Sequence, residues 1–167
     1  MVLYNTEKVS KVKLNQIQAV IGELDYIPHG DARALSSRRS KIIGVVVPTL
    51  DNAIFATCIQ SLQSRLKQLG YTLIVASHEY DLVEELHEVK TLLQHGIEVV
   101  MLVGATHAPQ LHKLLAGQRL PFVHCWAYDP NSSKPYIGFD NKKAANKIAQ
   151  YLLDLGHREF ALIVGHT

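Results

Sequence analysis

Ile42-Ile43-Gly44-Val45-Val46-Val47 decides the fold: five β-branched residues and one glycine with no polar position among them. Such a run has no solvent face, so it reads as a parallel strand covered on both sides. Outward from it, Ile54, Cys58, Ile59, Leu62, Leu66 and Leu69 recur at helical spacing and Gly70 follows, the pattern of an amphipathic helix closed by glycine. Tyr71–Ala76 repeats the strand signature, and Leu82, Leu86, Val89 and Leu93 mark a second helix stopped at Gly96. Val99–Val103 is a third strand, Pro109–Ala116 a short helix, and Pro121–Cys125 a fourth strand. A small strand at Tyr136-Ile137-Gly138 precedes a long helix over Asn141–Leu155, and Phe160–Val164 is expected as the last strand. Strands alternating with helices of this length predict an α/β class with a parallel sheet wound by right-handed crossovers. Ligands of such sheets sit at the carboxyl ends of the strands. Five loops are therefore the candidates: 48–55, 77–81, 104–107, 126–129 and 165–167.

Upstream of Ile42 the pattern is different. Ser10 is placed to cap a helix whose apolar stripe is Leu14, Ile17, Val20, Ile21 and Leu24, and Tyr26-Ile27-Pro28 ends it. Residues 30–41, Gly-Asp-Ala-Arg-Ala-Leu-Ser-Ser-Arg-Arg-Ser-Lys, form a polar, basic connector in which Asp31 can cap a short helix over Ala32–Ser36. The expected organisation is a helical segment over 1–29, a linker over 30–41 and a sheet domain over 42–167.

The chain has 167 residues, 47% hydrophobic and 19% charged, which fits a folded domain and excludes a disordered one. No apolar run approaches the roughly 18 residues of a membrane span, and Met1–Lys8 contains no apolar signal-peptide core. Two cysteines, Cys58 and Cys125, make no disulfide framework. A soluble, cytoplasmic protein without membrane association is expected. The net charge of +2 hides an asymmetry: seven basic residues oppose four acidic ones through Lys41, and ten oppose eleven after it. A basic arm ahead of a near-neutral body points to a polyanion partner for the arm.

Catalytic and cofactor signatures are missing from the chain. No Gly-x-Gly-x-x-Gly, P-loop lysine or Gly-x-Ser-x-Gly motif follows any strand. Of the nine histidines, His107 and His112 lie five apart and His87 and His95 eight apart, neither being the helical pair of a zinc site. Asp140 has no partner carboxylate for glycosidase chemistry. No metal, no cofactor and no catalytic residue is expected, and the chain reads as a non-enzyme.

The order of its segments resembles the LacI/GalR family of bacterial transcriptional regulators, and its gluconate-repressor branch in particular. Six marks carry the resemblance in sequence: Val9-Ser10 with the helix ending at Pro28; Ala32-Arg33-Ala34-Leu35 with Arg38-Arg39-Ser40; Ile43–Pro48; Asn52-Ala53-Ile54-Phe55; Gly138-Phe139-Asp140-Asn141; and Leu155-Gly156-His157-Arg158. The resemblance implies a helix-turn-helix, a hinge helix, and a two-subdomain module like the periplasmic sugar-binding proteins. Against that plan Leu3-Tyr4-Asn5 matches the end of the recognition helix and the chain stops after the first half-sheet. An incomplete member is therefore expected, with 1–29 part of the DNA-binding domain, 30–41 the hinge, and 42–167 the N-terminal effector subdomain.

Roles follow position by position. Leu35 matches the hinge leucine that wedges into the minor groove of operator DNA, with Ala32 and Arg33 beside it and Arg38 and Arg39 on phosphates. The plainer reading of Leu35 is one apolar residue on a linker helix. On the effector side the resemblance points to Asp51, Asn52, Phe55, Ser77, His78, Thr106, Trp126 and Asp140, an aromatic-plus-polar set suited to a sugar or sugar acid. Trp126 reads equally as a packing residue. Where the family usually has Pro-Phe, this chain has Ala53-Ile54, and His29-Gly30 replaces the usual asparagine after proline. The implied function is a homodimeric repressor that binds operator DNA and answers to such an effector. The competing reading is a stand-alone sugar-binding sensor.

Overall fold

A computed structural model describes residues 10–24 and 39–163. The chain divides into two compact units, residues 1–41 and 42–167.

In the first unit, α1 (Lys11–Glu23) begins after Ser10, whose backbone is extended but whose side chain makes no capping hydrogen bond. The Leu24 amide closes the helix on the Val20 carbonyl at 3.0 Å. Leu14, Ile17 and Ile21 are half-buried, Val20 and Leu24 are exposed, and no residue of α1 is fully buried. The Tyr26-Ile27-Pro28 stop, the expected helix over Ala32–Ser36, and the residues Ala32, Arg33, Leu35 and Arg38 lie outside the described residues; Arg39 is described and exposed.

The second unit is built on β1 (Ile42–Val47), β2 (Thr72–Ser77), β3 (Val99–Val103), β4 (Phe122–Cys125) and β5 (Tyr136–Ile137). They form one sheet in the order β2-β1-β3-β4-β5, and every neighbouring pair is parallel. Three helices connect them: α2 (Ala53–Gln68), α3 (Leu82–Gln94) and α4 (Pro109–Gln118); α5 (Asn141–Asp154) follows β5. Gly70 and Gly96 turn the chain out of α2 and α3 with φ of 74° and 73°, a conformation open to glycine at little cost. At the end of α4 a non-glycine residue, Arg119, takes the same left-handed role with φ 52°.

Alternation along the strands divides the core into two layers. Val46, Val100 and Leu102 face one side and pack with Val89 and Leu92 of α3, Leu111 and Leu115 of α4, and Ile97 and Leu120. Val45, Val47, Met101, Val103 and Cys125 face the other and pack with Phe55, Ile59 and Leu62 of α2. The wholly apolar strands β1 and β3 thus have helices over both faces.

Besides the Ser10 side-chain cap, the strand expected over Phe160–Val164 fails across its described part. Phe160–Ile163 forms no strand, and Leu162 and Ile163 are 86% and 98% exposed. A strand exists through its hydrogen-bond ladder, and among the described residues this segment has no neighbouring strand to pair with. The α5 helix is formed but likewise has no buried residue.

Candidate functional site

Because all strands run the same way, the loops after β1, β2, β3 and β4 gather at one edge of the sheet. After β2 the chain makes a tight turn: the His78 amide donates to the Val47 carbonyl (3.1 Å) and the Asp81 amide to the His78 carbonyl (2.8 Å). Between them Glu79 and Tyr80 both adopt left-handed backbone, φ 48° and 65°. Each such residue costs on the order of 1–3 kcal/mol, so the surroundings must hold the turn. Part of that hold is Asp81, which caps α3 by accepting from the Val83 amide at 2.7 Å and the Glu84 amide at 3.4 Å. The turn buries the His78 ring, 5% exposed, with neither ring nitrogen hydrogen-bonded. Buried polar atoms are normally satisfied, so an imidazole left without partners is a group prepared for one. It lines a cavity of about 400 Å³ together with Pro48, Tyr80, Gly104, Ala105 and Thr106. The set offers an aromatic ring, an imidazole and a hydroxyl against an apolar floor.

A second, smaller cavity of about 220 Å³ lies on the α2 side, lined by Cys58, Cys125, Trp126 and Phe139 with Ile137 and Gly138. Trp126 also has left-handed backbone (φ 61°), and its ring meets Phe55 edge-to-face at 5.2 Å. The Trp126 amide donates to the Ile137 carbonyl at 3.0 Å. Gly138 permits this approach, since a Cβ there would stand 2.7 Å from the Ala127 nitrogen. Burial pushes the Cys125 thiol up to about 11, so it stays protonated and unreactive at neutral pH. Both cysteines are free thiols.

The structure sorts the expected effector residues into groups. His78 and Thr106 share the larger cavity, Ser77 is half-buried at the end of β2 beside it, and Trp126 lines the smaller one against Phe55. Asn52 and Asp140 act as helix caps, accepting from the Ile54 amide (2.9 Å) and the Lys143 amide (2.8 Å). Asp51 is exposed, and its amide donates to the Thr49 hydroxyl at 3.1 Å. Tyr80 escaped the sequence reading because its role depends on a left-handed turn that no local motif announces. So did a cluster of Glu85, His107, His112 and His124, contributed by separate segments, with His112 half-buried at its rim. Among the described residues no three His, Cys, Asp or Glu side chains are disposed to hold a metal ion.

Residues 40–167 match the family of periplasmic binding proteins and sugar binding domains of the LacI family. The chain belongs to that family. Among LacI-type relatives, the HTH-type transcriptional regulator GntR of Escherichia coli K12 is 30% identical over 96% of this chain and 49% of its own length. A LacI-family transcriptional regulator from Silicibacter pomeroyi superposes with a TM-score of 0.82 at 25% identity, over 94% of this chain and 47% of that one. The lac repressor dimer bound to operator and an anti-inducer shares the fold, with a TM-score of 0.75 at 21% identity over 93% of this chain and 48% of that one. The chain spans about half the length of the curated relatives it matches. These relatives are transcriptional regulators rather than enzymes, and the parallel sheet is that of a LacI-family sugar-binding domain.

Proposed function

We propose that residues 42–163 supply one wall of the effector site of a LacI-type repressor, and that the effector is a sugar or sugar acid. The observation that carries this reading is His78, a buried imidazole with two unsatisfied nitrogens facing a cavity at the carboxyl edge of a parallel sheet. A hydroxyl or carboxylate of the effector satisfies it, Thr106 adds a hydroxyl, and Tyr80 adds a ring edge. Trp126 and Phe55 hold the neighbouring loop in place. Asp51, Asn52, Ser77 and Asp140 belong to the same edge and shape it through their loops and caps.

His78→Phe keeps the ring shape and removes both nitrogens. Losing a hydrogen bond of this kind is worth about 1–3 kcal/mol, so affinity for gluconate should fall by roughly 5- to 150-fold. Trp126 is the single tryptophan and lies at this edge, so its fluorescence reports the titration. An unchanged gluconate affinity in the variant would remove His78 from the site.

The same proposal assigns residues 1–29 to a DNA-binding domain and 30–41 to a hinge acting on operator DNA in a cytoplasmic homodimer. Leu35 is the minor-groove wedge beside Ala32, while Arg33, Arg38 and Arg39 contact phosphates. In a full-length regulator Leu35→Ala should abolish operator bending while leaving salt-dependent, non-specific binding nearly intact. Fluorescence energy transfer across the operator checks it, and an unaltered bend would defeat the wedge assignment.

A further inference from the structure

Beneath the loop that walls the larger cavity lies a group of side chains that effector binding does not use. His107 follows Gly104, Ala105 and Thr106, and its side chain is fully buried. Its Nδ1 lies 2.8 Å from Oε1 of Glu85 on α3, also buried, and its Nε2 lies 3.2 Å from the Gly104 carbonyl. The second contact closes loop 104–107 on itself, and the first ties it to α3. An ionised carboxylate and a carbonyl are both acceptors, whereas a neutral imidazole donates from one nitrogen only. Both contacts are satisfied together only when the Glu85–His107 pair holds one extra proton.

That proton has histidines for neighbours. The His124 ring, on β4, stands 4.6 Å from the His107 ring and stacks on Tyr136 of β5 at 4.7 Å. His112, on α4, brings its Nε2 to 3.4 Å from the His124 Nε2, a contact that needs one neutral acceptor. His124 is fully buried and its Nδ1 has no partner. Burial first, then His107, His112 and Lys134, pushes the His124 imidazole down to about 4 from an ordinary 6.5. Burial and Lys134 also lower His112, with His107 acting the same way and Glu85 opposing. The groups facing the cluster are thus Glu85 from α3, His107 from the β3 loop, His112 from α4, and Lys134 and Tyr136 from the β5 side. The one carboxylate among them meets His107 through Oε1, and its Oε2 is buried without a hydrogen-bond partner.

We propose that Glu85, His107, His112 and His124 form a proton-operated latch on loop 104–107, so that acidification releases the loop that walls the cavity. Near neutral pH the latch is closed: His107 meets Glu85 and the Gly104 carbonyl, and the His112–His124 pair carries no excess proton. A further proton taken by the His112–His124 pair puts an added positive charge into the cluster, in which the His124 ring lies 4.6 Å from the His107 ring and its Nδ1 has no partner to offset it. The loop then gives way first, since it is the exposed segment to which His107 is attached. The consequence for the effector rests on the proposed function; the latch itself does not.

The test is hydrogen exchange in the full chain, corrected for intrinsic rates, read at the Gly104 amide, which donates to the Cys125 carbonyl at 2.8 Å. Between about pH 7.5 and pH 5, protection over 104–107 should fall by about tenfold or more in the native chain and by far less in His124→Phe, which keeps a stacked ring but cannot titrate. An equal fall in both, or none in the native chain, overturns the latch. Should the variant not fold, side-chain nitrogen shifts of the native histidines decide the matter. The loop resonances should move together with titration of His124 or His112, and loop shifts that follow neither histidine overturn the proposal. A native chain that binds no gluconate yet releases its loop in acid supports the latch and counts only against the cavity's occupant.

Discussion

Leu102→Ala is expected to lower the stability of the sheet unit by about 2–5 kcal/mol. Leu102 is fully buried in β3, in the apolar layer shared with Val46, Val89, Leu92, Leu111 and Leu115. Truncation removes transfer energy and leaves a cavity that strands paired on both sides cannot close, since β3 is fixed by β1 and β4. Urea unfolding should show a lower midpoint with an unchanged slope. Val83→Ala on α3, at a side chain 76% exposed, is the control and should change stability by less than about 0.5 kcal/mol. Similar losses in the two variants would mean that the apolar layer is assigned to the wrong side of the sheet.

Gly138→Ala should cost about 1–3 kcal/mol and disturb the candidate site with it. The new methyl would stand 2.7 Å from the Ala127 nitrogen, and this neighbour is backbone, not a side chain able to swing away. The relief available is to part the segment after β4 from the one after β5, which strains the hydrogen bond from the Trp126 amide to the Ile137 carbonyl. The emission of Trp126 should therefore shift along with the loss of stability. Gly117→Ala, where a Cβ meets nothing within 4 Å, is the matching control on α4 and should be neutral or slightly stabilising. A Trp126 spectrum unaltered in Gly138→Ala would contradict the close approach.

Most of the architecture is legible in the chain because burial on two faces leaves a strong mark. Ile42–Val47, Val99–Val103 and the glycines at 70 and 96 fall where pattern and turn chemistry place them. Phe160–Ile163 reads as a strand for the same reason and is not one, because apolar pattern reports a tendency to be covered while a strand needs a partner. The site is less legible. Asn52 and Asp140 carry polar side chains at the correct edge, yet they spend an oxygen on helix capping, a use that fits the same residue types equally well. His78 can be placed at the edge from sequence, but its burial without hydrogen-bond partners depends on how the chain folds around it. The four-residue cluster under loop 104–107 has no signature at all, since Glu85, His107, His112 and His124 come from four separate segments.

On the proposed function, the carboxyl edge around His78 receives a small polyhydroxylated ligand. Amide chemical-shift mapping of the full chain with gluconate, raised to about 100 mM so that even a millimolar site is occupied, tests it most directly. Saturable shifts at residues 77–81 and 103–106, with smaller ones near Trp126, are the predicted result. No saturable shift at those residues, or shifts centred on the opposite edge of the sheet, would contradict it.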